Sequence, residues 1–169
     1  MKSLMAIIDR ISHVAVWIGG AMLIMTAFLV FVEVIVRKVF LLSLGGADEL
    51  SGYAFAIAST WAFSFALLVR AHIRIDVVYV RLPPRFRAFL DVVALTSLGL
   101  FAAVMTRYAW DTFAFTIQFS THANTPLETP LWIPQSLWLA GIIFFVVTLA
   151  LQIIRSLAAL ITGRWDEVQ

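Results

Sequence analysis

Three ionisable residues lie within stretches of this sequence that are apolar enough to cross a membrane. They are Glu33, Asp91 and Arg107. An ionisable side chain in a membrane span is costly, and by default it is a candidate for an ion or proton pathway. At about 1.5 Å per helical residue, Glu33 and Arg107 fall near one membrane boundary and Asp91 near the other. No ionisable residue falls at mid-depth, where a coupling-ion site belongs, so structural ion pairs are the favoured interpretation.

Each of these residues has a possible partner at its boundary. Glu33 could pair with Arg107 on another span, or with Arg37 one turn further along its own helix. Asp91 could meet Arg70 at the end of the second span. The sequence leaves the two partners of Glu33 open.

The sequence gives little support for a haem site, a thiol site or a catalytic site. A haem-carrying membrane anchor needs histidines that project into the helix bundle, but His13, His72 and His122 all fall outside the apolar cores of the spans. The absence of cysteine excludes disulfides, thiolate metal sites and cysteine nucleophiles. The chain also lacks a glycine-rich phosphate loop and the common hydrolase motifs. We therefore expect no catalytic site, no cofactor and no metal, and a protein that is not an enzyme.

The composition explains which elements must position these residues. Of the 169 residues, 62% are hydrophobic and 13% are charged, whereas a soluble domain carries about 25% charged residues. The mean hydropathy is +0.97, so membrane lipid is the expected solvent. A net charge of only +2, with basic residues that separate apolar segments, excludes nucleic acid as a partner.

Four apolar stretches are long enough to span a bilayer as helices, which takes about 20 residues each. They cover residues 14–36, 50–69, 88–110 and 132–154. The predicted fold is an all-α integral membrane protein with four transmembrane helices, in a single membrane domain over residues 1–169. Between helices 2 and 3, residues 73–82 show no clean period and are interpreted as an amphipathic arm at the cytoplasmic membrane surface.

The basic residues predict the orientation of the helices. Nine of them lie on one side of the membrane, in the two tails and in the central loop, whose five arginines fall between positions 70 and 87. By the excess of basic residues in cytoplasmic segments, both termini and the central loop are expected in the cytoplasm. There the arginines can also contact lipid phosphates.

The second helix shows a stripe of small residues that recurs every four positions: Ala54, Ala58, Ala62 and Ala66. Small residues at this spacing let helices approach closely in a bilayer, so the stripe predicts a contact with another helix of this chain or of a partner. Asp48 is predicted to cap the start of the same helix.

Four short pieces, in this order on four spans, make the chain similar to a known family. The pieces are EVIVRKVF with Glu33 and Arg37, GADEL with Asp48 and Glu49, HIRID with His72 and Asp76, and TPLWIP with Pro130, Trp132 and Pro134. The arrangement resembles the small membrane subunit of tripartite ATP-independent periplasmic (TRAP) transporters. One departure is Gln135–Ser136, where the family often has a glycine soon after the last proline.

The resemblance implies a division of labour in a bacterial inner membrane. A large multi-spanning subunit would carry substrate and sodium ions, and a periplasmic binding protein would deliver a small organic acid. The present chain would be a non-catalytic subunit that widens and anchors the scaffold, with His72 and Asp76 in a specific structural contact at the inner surface.

Two alternatives come from other classes. A self-sufficient four-helix exporter would need a carboxylate at mid-span, and Glu33 lies too close to the edge. A membrane anchor of a redox enzyme would bind haem or quinone, and the histidine positions argue against it.

Overall fold

The structure is a computed structural model that describes residues 2–43, 45–69 and 82–162. It contains four helices: α1 (Lys2–Phe40), α2 (Ala47–Leu68), α3 (Pro84–Gln118) and α4 (Trp132–Thr162). All four are long and apolar enough to cross a membrane, and the described residues contain no strand beyond one isolated bridge. The predicted all-α, four-span membrane fold is therefore confirmed.

Three of the helices extend far beyond the apolar stretches that predict them. α1 begins 12 residues before position 14, α3 continues to Gln118 instead of 110, and α4 continues to Thr162 instead of 154. The apolar criterion finds only the part of a helix that lies in hydrocarbon, whereas backbone hydrogen bonding continues into more polar ends. As a result, Arg107 lies well inside α3.

The helix starts show one expected and one unexpected residue. Pro84 is the first residue of α3, as its fixed φ angle favours. The prediction that Asp48 caps α2 is wrong, because the N-cap is Gly46 and Asp48 lies in the first turn. There its negative charge still suits the positive end of the helix dipole.

α2 and α4 form the centre of the bundle. α2 packs against α1 on one side and against α4 on the other, and α4 also packs against α3. Two hydrophobic clusters fill the contacts of α4. One contains Leu67, Ala102, Phe145 and Leu149, and the other contains Ala109, Leu139 and Ile142.

Close backbone approach explains two of these helix contacts. A Cβ atom on Gly19 of α1 would lie 3.2 Å from the Cβ of Ala58 on α2. A Cβ atom on Gly141 of α4 would lie 2.5 Å from the Oγ1 of Thr60 on α2. Small residues therefore bring α1 and α4 onto opposite sides of α2, as expected for helices in lipid.

The outer faces of the helices remain open. In the most apolar window of each helix, the buried share is 6% for α3 and 11% for α1, compared with 28% for α2 and 33% for α4. Large apolar side chains such as Trp17, Ile24 and Phe28 are exposed on α1. These faces are available to lipid or to another membrane protein. The predicted amphipathic arm, residues 73–82, lies almost wholly outside the described residues.

Candidate functional site

The buried carboxylates of the described residues lie at the end of the bundle that carries both described connections. We call this the loop end, formed by the turn 41–46 between α1 and α2 and the loop 119–131 between α3 and α4. Glu33 and Glu49 are the buried carboxylates there, with 2% and 8% of their surfaces exposed. Burying a carboxylate is costly unless donors surround it, so their partners define what the site can do.

Glu33 is held by residues close to it in sequence. Arg37 donates to its Oε1 from Nη2 at 2.7 Å and from Nε at 3.2 Å. The Ser43 hydroxyl donates to the same oxygen at 2.8 Å, and this hydroxyl also accepts a hydrogen bond from the Gly45 N–H at 3.2 Å. The carboxylate thus ties the last turns of α1 to the turn that follows.

The open question of the partner of Glu33 is thereby answered in favour of Arg37. Arg107 instead forms a salt bridge with Asp111, one turn further along α3. Both side chains of that pair are at least half exposed. The pair was missed from the sequence because the apolar stretch ends at Trp110, whereas the helix continues and places the two charges at i and i+4.

Glu49 is held by residues far from it in sequence. Tyr53 donates to its Oε1 at 2.9 Å from one turn along α2. The Thr125 hydroxyl in the 119–131 loop donates to its Oε2, and Thr129 lies beside the same carboxylate. Glu49 therefore fixes the loop to the first turn of α2. Asp48, its neighbour, is exposed.

Two glycines let the loop lie against the turn. Gly45 has a φ of 73°, which favours glycine, and a Cβ atom there would lie 3.3 Å from the Cβ of Pro126. A Cβ atom on Gly46 would lie 2.5 Å from the Cδ1 of Leu127. We call the packing of Pro126 and Leu127 on Gly45 and Gly46, together with the Glu49 hydrogen bonds, the loop–turn contact.

The 119–131 loop is ordered by its own backbone. The N–H of Ala123 donates to the Thr129 carbonyl at 2.9 Å, and His122 forms an isolated bridge with Pro130. The N–H of Leu131 donates to the Thr121 carbonyl at 3.1 Å. These bonds close the loop and direct the chain into α4.

The residues of the TPLWIP stretch divide between surface and interior at the start of α4. Trp132 is the first residue of the helix and is half exposed. Pro134 is buried, and Pro130 is partly buried. The stretch therefore contributes packing and a helix start.

The alanine stripe of α2 is only partly buried. Ala54 and Ala58 are buried, and Ala62 and Ala66 are intermediate. Of these, Ala58 has an identified neighbour in Gly19. The mid-helix Trp61 donates from Nε1 to the carbonyl of Leu137 at 2.9 Å, joining α2 to α4.

Midway along the helices, the buried polar groups of the described residues are hydroxyls, which the sequence reasoning missed. Thr148 donates to the Phe144 carbonyl of its own helix at 2.8 Å, and it faces Ser64 of α2 at 3.4 Å. Thr60 likewise bonds to the carbonyls of Ala56 and Ile57. A hydroxyl that bonds within its own helix can be buried without a partner elsewhere. A serine or threonine among apolar residues is the signal that could have found them.

Asp91 lies away from the loop end. Asp91 is partly buried on α3, two turns from its start. Arg70, His72 and Asp76 lie outside the described residues, so their predicted contacts remain predictions. Within residues 2–43, 45–69 and 82–162, no group of three or more His, Cys, Asp or Glu side chains is arranged to hold a metal ion.

The fold and this geometry define a multi-pass, all-helical membrane protein whose buried carboxylates are held by hydrogen bonds within the chain. A family model for the DctQ component of tripartite ATP-independent periplasmic transporters matches residues 25–159. The chain therefore belongs to the DctQ family and is a small membrane subunit of a TRAP transporter. This confirms the resemblance, and because the family is one of transporter subunits, it also confirms that the chain is not an enzyme. No curated protein matches the chain.

Proposed function

We propose that this chain is the scaffold subunit of a sodium-coupled secondary transporter for small organic acids. In this proposal a large multi-spanning subunit moves substrate and sodium ions, and a periplasmic binding protein delivers the substrate. The chain itself lies in a bacterial inner membrane as one domain, with both termini in the cytoplasm, and transports nothing alone.

The observation that carries the proposal is the placement of the buried charges. Among the described residues, the buried carboxylates are Glu33 and Glu49, and both lie at the loop end with donors from this chain. Between the ends of the helices, the buried polar groups are hydroxyls such as Ser64 and Thr148. An ion crossing a membrane needs a site near mid-depth, and the Thr148 hydroxyl there donates to the Phe144 carbonyl of its own helix.

The open apolar faces give further support. α3 buries little of its apolar window and therefore presents most of its surface outward. A scaffold subunit needs such faces, because they contact lipid on one side and a larger membrane protein on another. The basic tails and central loop support the proposed orientation.

The first test is recovery of the tagged chain from its native membrane in mild detergent, with mass spectrometry of co-purifying proteins. We expect a large polytopic protein in about equal amount. Reconstitution of both with the binding protein should then give organic-acid uptake driven by a sodium gradient, and the chain alone should give none. Recovery of the chain alone, or with a soluble dehydrogenase, would overturn the proposal.

Glu33→Gln separates a scaffold from a self-sufficient exporter. An exporter that uses this carboxylate should lose transport while remaining folded, whereas a scaffold should lose stability or assembly. Lys38→Gln is the matched control, since Lys38 is an exposed residue on the same end of α1.

A redox anchor would show visible absorbance after purification. The two described histidines are poorly placed for one cofactor, because His13 lies on α1 and contacts Phe65 near the far end of α2. His122 lies in the loop at the opposite end of the bundle.

A further inference from the structure

An apolar groove with a volume of about 530 Å³ runs along α1 where it meets α2. One wall is formed by Ile11, Val14, Ile18 and Met22 of α1. These positions recur at helical spacing and face one side. Ile57 and Trp61 of α2 line the groove opposite, and Leu137 of α4 lines it as well.

The groove exists because the two residues at its floor, Gly19 and Ala58, have no side chain or only a methyl group. Gly19 lies against Ala58, so closely that an added Cβ would be 3.2 Å from the alanine methyl group. The two backbones therefore meet at the floor, while the larger side chains stand on either side. Val14 and Ile18 are 52% and 62% exposed, so nothing in the described part of the chain covers the groove.

One end of the groove is cationic. Arg10 is the charged residue of the lining, and no carboxylate of the described residues pairs with it. The neighbouring Asp9 instead faces His13, with 3.6 Å between Oδ1 and Nδ1. The groove thus joins a guanidinium that no described carboxylate pairs with to a long apolar surface.

The dimensions decide what fits. From Arg10 to Met22 the helix rises about 18 Å, more than half of the roughly 30 Å hydrocarbon core. The groove is long enough for a flexible hydrocarbon chain to lie along it, and the guanidinium at its end favours an occupant with an anionic head group.

We propose that this groove binds one anionic membrane phospholipid, with its phosphate on Arg10 and an acyl chain lying over Gly19 towards Met22. Arginine suits a phosphate because its planar guanidinium donates two parallel hydrogen bonds. Anionic lipids add long-range attraction to a basic membrane-facing surface. The site does not depend on the transport proposal, since a bound lipid and a missing large subunit are separately observable.

The test is native mass spectrometry of the full chain released from nanodiscs of phosphatidylglycerol and phosphatidylethanolamine. We expect one retained phosphatidylglycerol. Arg10→Gln should lower its retention about tenfold, the size expected for loss of a charge-assisted hydrogen bond. Ile18→Trp should remove it by filling the groove. Equal retention in the wild type and both variants would overturn the site.

Two control variants isolate the groove from general effects. Ile24→Trp adds the same ring at an exposed position of α1 that does not line the groove. Lys38→Gln removes a basic residue at the opposite end of the helix. Both should retain the lipid, and loss of the lipid in either control would overturn a specific site.

Photo-crosslinking identifies the occupant in intact membranes. A benzophenone amino acid at Val14, an exposed lining residue, should yield an adduct with the mass of a phospholipid. An adduct with another protein at this position would overturn the proposal and assign the groove to a partner.

Discussion

Thr125 donates a hydrogen bond to the carboxylate of Glu49, joining two residues that are 76 positions apart. Glu49 belongs to the GADEL stretch at the start of α2, and Thr129, the first residue of TPLWIP, lies beside the same carboxylate. Two of the four pieces that carry the family resemblance are therefore in contact. Their shared role at the loop end is to hold the α3–α4 loop against the α1–α2 turn.

Removing the Thr125 hydroxyl tests whether its hydrogen bond to Glu49 holds the loop in place. Thr125→Val keeps the side-chain volume and deletes the donor to Glu49, so we expect faster hydrogen exchange across residues 121–131, by several-fold. Thr112→Val is the control, because its hydroxyl bonds to the Tyr108 carbonyl of its own helix. Unchanged exchange in Thr125→Val would show that this hydrogen bond does not hold the loop.

Gly46 tests the steric half of the loop–turn contact. A methyl group there would overlap Leu127, but that side chain is 46% exposed and can turn aside, so Gly46→Ala should destabilise the protein by no more than about 1 kcal/mol. Its φ of −138° suits any residue, so backbone strain does not enter. Thermal unfolding in detergent measures the change, and Leu127→Ala in the same chain should restore much of the loss.

Gly52→Ala, within α2, should have the opposite effect on stability. A Cβ atom at Gly52 meets nothing within 4 Å, and alanine is favoured over glycine in a helix by about 0.5–1 kcal/mol. This variant should melt at or above the wild-type temperature. If both glycine variants melted alike, overlap with Leu127 would not explain the effect of Gly46→Ala.

Arg37 tests the buried ion pair. Arg37→Gln removes the guanidinium from a carboxylate that stays buried, and it should lower the melting temperature more than Lys38→Gln does. Glu33→Gln combined with Arg37→Gln should recover part of the loss, because the buried charge is then gone. A double variant whose loss equals the sum of the single losses would contradict coupling between the two.

The orientation is tested by single cysteines, for which the cysteine-free chain gives no background. Asn124→Cys, an exposed position of the 119–131 loop, should react with a membrane-impermeant maleimide on intact cells. Ser3→Cys should react only after permeabilisation. The reverse pattern would overturn the proposed cytoplasmic termini.

The fold class followed from the sequence because long apolar stretches in lipid leave the backbone few options besides helices. The start of α4 at Trp132 could also be read directly, whereas α3 begins at Pro84, four residues before the predicted span. The helix ends could not, because α1 and α3 continue through charged residues such as Arg10 and Asp111. Hydrophobicity alone does not show that a helix continues through charged residues.

The site was predictable only where its contacts are local. Arg37 was one of two candidates for Glu33 because it lies one turn away. The other donor, Ser43, required the path of the turn, and the partners of Glu49 required the position of a loop far along the chain. Single-sequence patterns report neighbours along a helix and not the meeting of distant loops.

The different reach of the two carboxylates has a consequence for biosynthesis. Glu33 finds Arg37 and Ser43 within ten residues, so the first helical hairpin satisfies it as soon as it leaves the ribosome. Glu49 waits for Thr125, 76 residues later, which is about 4–15 s at about 5–20 residues per second. During that interval the Glu49 carboxylate can accept the hydrogen bond from Tyr53 but not yet the one from Thr125. Until the second hairpin is made, the nascent chain therefore carries a carboxylate that lacks a hydrogen bond of the folded protein.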